Sequence, residues 1–184
     1  MQARTITPLV LALLAAATLA LAGLARPAGA ASPGAFAQLV QAYLGTARYL
    51  DSGRATADGY AEFRDAAGIA CIDRPGVGAM GVHYVNGSLV GDALLDPARP
   101  EALVYEPLGD GRLRLVAAEY IVFQAAWDAV HDAPPTLFGR PLALVPAGNR
   151  YGIPAFYELH VWLWKPNPRG LFDDWNPLVT CDHA

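Results

Sequence analysis

The chain has 184 residues, 54% hydrophobic and 16% charged, with a formal net charge of −4. That acidic balance argues against nucleic acid or anionic lipid as a partner. Two cysteines and four histidines are present, so chemistry built on thiolate or imidazole has few residues to draw on.

Met1-Gln-Ala-Arg4 forms a short positive segment, and Ile6 to Leu24 is almost unbroken Leu, Ala and Val without charge. Ala28-Gly29-Ala30 then fits the small-x-small cleavage pattern, which predicts a signal peptide over residues 1–30 and a periplasmic or extracellular protein. A retained anchor is the rival, since the apolar run approaches a bilayer-spanning length. Pro8 and the Ala/Gly cluster speak against it, and no Leu-x-x-Cys lipobox is present. Cleavage removes Arg4 and Arg26 and no acid, taking the formal charge from −4 to −6. Residues 31–184 then make a single domain, with no second apolar stretch long enough to cross a membrane.

Gly34 to Asp51 carries Phe36, Leu39, Val40, Tyr43, Leu44, Ala47 and Leu50 at three- and four-residue steps, an amphipathic helix. Ala55 to Ala67 reads as a second, shorter helix stopped by Gly68. After Cys71 the pattern turns to strands. Met80–Val85 runs into Asn86-Gly87, a hairpin-turn signal. Glu101–Leu108 and Arg112–Phe123 flank Asp110-Gly111, read as a two-residue hairpin turn. Gln124–Asp132 suits a short helix stopped by Pro134-Pro135, and Tyr157–Lys165 is a last, tryptophan-rich strand. The predicted fold is α+β: N-terminal helices packed on a mainly antiparallel, curled or barrel-like sheet, with Phe172 and Trp175 of the tail folded over it.

Cys71 and Cys181 form an even pair in an exported chain, which reads as a disulfide. It would close a loop of about 110 residues, worth about 4–5 kcal/mol in the chain-entropy model. A cysteine-ligated metal with Asp182 or His183 is the rival.

Two motif families can be set aside. Gly76-Val-Gly-Ala-Met-Gly81 spells G-x-G-x-x-G, but Asp73-Arg-Pro75 precedes it and a strand follows, so the strand-before, helix-after context of a dinucleotide site is missing. Ser32, Ser52 and Ser88 are the only serines, and none sits in G-x-S-x-G.

The Asp110-Gly111 turn pairs Glu106 with Leu115, Val104 with Ala117 and Ala102 with Glu119. One face then holds Leu113, Leu115, Ala117, Glu119, Ile121 and Phe123, with Glu119 deep inside an apolar surface and only Ala102 opposite. A carboxylate there costs several kcal/mol unless it is paired, coordinated or protonated. His131 and His183 read as solvated, whereas His83 and His160 each lie inside an apolar strand. His83, Glu119 and His160 make a two-His-one-carboxylate set of the kind that binds a divalent transition metal of the zinc or iron class. Glu158, on the His160 face, would be a fourth ligand or a base beside them, with Trp162 as a pocket wall and Trp164 nearer the rim. The competing reading is a structural polar network, with Glu119 paired to Arg114, Arg140, Arg150 or Arg169.

The segments MGVHYVN (Met80–Asn86), PEALVYE (Pro100–Glu106), LRLVAAEY (Leu113–Tyr120) and LHVWLWKPNP (Leu159–Pro168) resemble a family of small exported bacterial proteins of unknown function, over most of residues 70–181. The resemblance makes His83, Glu119 and His160 parts of motifs and implies no catalytic residues. Three functions are consistent with the sequence: a metal-dependent protein, whether enzyme or carrier; a non-enzymatic pocket protein holding an apolar or aromatic small molecule between sheet and tail; and an envelope module that binds a protein partner.

Overall fold

The computed structural model describes residues 33–184; the signal-peptide expectation for residues 1–30 falls outside them. Helix α1 (Pro33–Thr46) continues into a 3-10 turn over Ala47–Leu50, and α2 (Ser52–Ala57) starts where the Asp51 side chain accepts from the Gly53 amide. Seven strands form the main sheet: β1 (Ala61–Glu62), β2 (Cys71–Arg74), β3 (Gly78–Val85), β4 (Ala102–Pro107), β5 (Leu113–Phe123), β8 (Ala143–Val145) and β9 (Phe156–Val161). Helix α3 (Gly87–Val90) separates β3 from β4, and α4 (Gln124–Asp128) follows β5. The strands β6 (Thr136–Leu137) and β7 (Arg140–Pro141) make a separate ribbon.

All the pairings are antiparallel, in the order β1-β3-β4-β5-β9-β8, with β2 also on β3. The fold is therefore α+β with a mainly antiparallel sheet. It is open, ending at β1 and β8 rather than closing on itself as a barrel-like reading expects.

Three local expectations are corrected. Residues 55–67 are not one helix: α2 stops at Ala57, Gly59 takes φ +91°, and the chain enters β1. Asn86-Gly87 is not a hairpin turn, because the Asn86 side chain caps α3 by accepting from the Ser88 amide and donates to the Asp58 carbonyl. The β4–β5 loop has three residues, Gly109–Gly111, with Gly111 at φ +76° closing a turn through its amide to the Leu108 carbonyl. Near the turn the pairs are thus Tyr105–Leu115 and Glu106–Arg114. A bulge at Val116 then restores Val104–Ala117 and Ala102–Glu119, as expected from a two-residue turn. The two deviations cancel.

The bulge also swaps faces. Leu115 packs with Leu103, Tyr105, Tyr49 and Ala55, while Ala117 packs with Val104, Ala79, Trp162 and Val179. Leu113 and Leu115 therefore do not share the Glu119 face. The Tyr105 face continues through Ala118, Tyr120, Val122, Leu159 and Val161, in one buried cluster with Ala42 of α1.

Cys71 and Cys181 are disulfide-bonded, with Cα atoms 5.7 Å apart. The bond ties the C-terminal tail to β2, and Asn176 of that tail forms an antiparallel bridge with Ala79. Gly76–Gly81 runs from the β2–β3 turn into β3, with no helix after it. Gly81 takes φ +115°, and a Cβ there would lie 2.5 Å from the Tyr105 carbonyl oxygen. The glycine serves close strand packing.

Candidate metal centre

Glu119 lies at the middle of β5, directly across from Ala102 on one side and His160 on the other. His83, on β3, pairs with Val104, so it must reach over β4 to meet Glu119 two strands away. Adjacent strands are about 4.8 Å apart, and a large residue at 102 would block that path. Ala102 leaves it open.

The three side chains converge. His83 Nε2 lies 3.4 Å from His160 Nε2 and 3.4 Å from Glu119 Oε2. One ligand atom from each residue falls within 4.8 Å of the others, and all three residues are buried. Two ligands bound at about 2.0–2.1 Å with a tetrahedral angle between them stand about 3.3–3.4 Å apart. Two of the three separations match a tetrahedral edge, and His160 and Glu119 approach each other at 3.9 Å, through Nδ1 and Oε1.

None of the four arginines offered as partners pairs with Glu119. Arg114 reaches Glu106 at 3.6 Å, Arg150 reaches Asp65 at 2.7 Å and Arg169 reaches Asp173 at 3.0 Å. Arg140 lies over the Phe172 ring. The carboxyl next to Glu119 is instead Glu158, and a hydrogen bond between the two requires one proton.

Burial sets the electrostatics. It pushes His83 down to about 4, with the charge of Arg150 adding to it. It also holds His160 well below the ordinary imidazole range, and His83 adds to the effect. Both rings are neutral near pH 7, the form that donates a lone pair to a metal. Burial raises Glu119 well above the carboxylate range, with Glu158 as the next cause, and raises Glu158 too. Burial thus disfavours charge on all four groups of the metal-free pocket.

Two buried polar atoms among the described residues have no hydrogen-bond partner, and both are here: His160 Nδ1 and Glu158 Oε2. Nearest to His160 Nδ1 are Asp174 Oδ1 at 3.8 Å and Glu119 Oε1 at 3.9 Å.

The cluster opens on a cavity of about 400 Å³, lined by Phe63, Val85, Ile121, Phe123, Ile153 and Phe156. His83 and Glu119 reach its surface, as does Tyr151, while His160 and Glu158 stand behind. Trp162 stacks on His160 with ring centroids 6.3 Å apart but does not line the cavity, so it backs the site without walling it. Trp164 is not at the rim. Beyond Val161 the strand ends, and Trp164 stacks on Tyr43 and donates to Thr46 Oγ1. Phe172 packs on Phe138, well away from the cavity lining. A cavity of about 460 Å³ beside the disulfide, bounded by Arg64, Leu108, Arg112 and His183, contains none of the three residues.

Asp174, Tyr151 and Glu101 were not singled out in the sequence. Asp174 sits in a turn-rich tail and Tyr151 in a loop, where no periodicity assigns a direction. Glu101 had a signal, a carboxylate opening an apolar strand, and it is buried with Oε2 accepting from the Ile121 amide at 3.0 Å.

The chain matches no known protein-family model, no curated protein and no solved structure. No helix among the described residues is long and apolar enough to cross a membrane.

Proposed function

We propose that this is an exported protein that holds one divalent transition-metal ion on His83, Glu119 and His160, with the ion's remaining position open to the apolar cavity. The observation that carries the reading is the pair of 3.4 Å separations among three buried ligand atoms from three strands. Cis ligands of an octahedral ion would stand about 3.0 Å apart, so the two 3.4 Å separations suit a tetrahedral ion of the zinc class better than an octahedral one. Export draws support from the disulfide, a bond that persists in oxidising compartments.

The structural-network reading is weaker because its arginine partners are engaged elsewhere. A three-ligand ion keeps an open position, where it polarises a bound oxygen or lowers the pKa of bound water. The non-enzymatic alternative draws on the same cavity: an apolar ligand would bind there without an ion.

Elemental analysis of protein produced with its disulfide intact, without a histidine tag or chelator, tests the reading. About one zinc-class ion per chain is expected, falling at least tenfold in His83→Ala and in Glu119→Gln. Metal below about a tenth of an equivalent, with no uptake from added zinc, would sink it.

A further inference from the structure

Resting on that metal reading, the geometry points to an apolar carboxylate as the cavity's occupant: an alkyl or aryl body among the aromatic walls, and one carboxylate on the ion's open position. The walls are hydrocarbon almost throughout, from Phe63, Val85, Val90, Ile121, Phe123, Ile153 and Phe156. A volume of about 400 Å³ lies in the range that takes small organic ligands. A polar body would lose its water there and gain nothing.

The head group follows from what the walls lack. No lysine or arginine lines the cavity, so an anion finds its counter-charge at the ion alone. Among the three ligands only Glu119 brings a negative charge against a dication, and Glu62, the other carboxylate lining the cavity, pairs with Arg64. His83 and His160 add none. Asp174 stands on the far side of His160 with its side chain 43% exposed, where solvent screens it. A dication on two neutral imidazoles and one carboxylate keeps net positive charge on the cavity side, which an anionic head neutralises.

Tyr151 supplies the second contact. The residue lines the same cavity, and the hydrogen bond its hydroxyl makes is a weak one to Met80 Sδ at 3.8 Å. Burial keeps the phenol protonated. It can donate to the carboxylate oxygen that the ion leaves free. A neutral alcohol offers one oxygen and no charge, and so gains less from both contacts.

Cobalt(II), which reports its coordination in visible absorption, makes the inference testable with octanoate, acetate and 1-octanol as probes. Octanoate should change the cobalt bands and saturate at a concentration at least a hundredfold below acetate. Each buried methylene contributes about fourfold, and the expected margin allows for partial burial of the chain. Octanol should bind at least tenfold more weakly than octanoate, and metal-free protein should lose at least tenfold in octanoate affinity by calorimetry. If cobalt binds but octanoate leaves its bands unchanged, or acetate or octanol matches octanoate, the carboxylate inference falls and the metal reading stands. If cobalt does not bind at all, both fall.

Discussion

On the sheet face that carries Tyr105, three deeply placed phenols end on backbone carbonyls: Tyr105 donates to Tyr49 at 2.8 Å, Tyr60 to Pro100 at 2.6 Å and Tyr120 to Pro97 at 2.7 Å. Its buried carboxylate, Glu101, accepts from the Ile121 amide. The opposite face buries His83, Glu119, Glu158 and His160 together and leaves two of their polar atoms without partners. Polar groups whose duty is structural are satisfied inside the fold. On the Glu119 face that satisfaction is incomplete, at two atoms beside those that would hold the ion.

The largest effect should come from cutting the link that holds the tail against the Glu119 face. Val179, two residues before Cys181, packs with Val104, Val116, Ala117 and Trp162, and Asn176 pairs with Ala79. Replacing both cysteines, Cys71→Ser with Cys181→Ser, should cost about 2–5 kcal/mol. For a domain of this size that lowers Tm by about 5–15 °C. The amides of Asn176 and Val179, bonded to Ala79 and Asn176, should lose exchange protection first. A Tm within about 2 °C of the unmutated protein would show that the tail is held by packing alone.

Much of this was legible because periodicity survives in long strands. The alternation in Arg112–Phe123 and Tyr157–Val161 put Glu119 and His160 on buried faces, and they are direct cross-strand partners. The Cys71–Cys181 bond followed from two cysteines and the expectation of export. Short-range signals did worse, because one residue type serves several turns. Asn86 caps a helix as readily as it enters a hairpin, and Gly111 closes a three-residue loop as well as a two-residue one. The Val116 bulge is invisible in a pattern of apolar residues, so Leu113 and Leu115 were assigned to the wrong face. Trp164 was misplaced because alternation was carried past Val161, where the strand stops.

Glu101 sharpens the contrast from the satisfied side. Burial lifts its carboxyl to about 8, against an ordinary value of 4.5, although the Ile121 amide pulls the other way. The folded protein therefore holds a proton there that the unfolded chain releases above about pH 4.5. Stability contributed by this group is full below that pH, falls as pH rises towards 8, and is flat beyond. Glu101→Gln removes the titration and keeps an acceptor for Ile121. It should stabilise the protein by on the order of 2 kcal/mol at pH 9 and change little at pH 4.5, read from urea midpoints at the two pH values. A variant less stable than the parent at pH 9 would show that the ionised carboxylate is wanted there.

The smallest expected effect is the most telling, because it separates the two faces directly. Tyr105→Phe strands the Tyr49 carbonyl in a buried cluster, and should cost about 1–2 kcal/mol with metal content unchanged. Glu119→Gln keeps the shape and an acceptor, and offers amide protons to Glu158 or the imidazoles, while removing a carboxyl that is costly to ionise in that place. The metal-free protein should then lose less than about 0.5 kcal/mol, or gain slightly, by urea unfolding in the presence of chelator. The ion-loaded state is where the substitution should register, since the anionic ligand is gone. A loss above about 2 kcal/mol in the metal-free variant would place Glu119 among the structural groups, alongside the tyrosines of the other face.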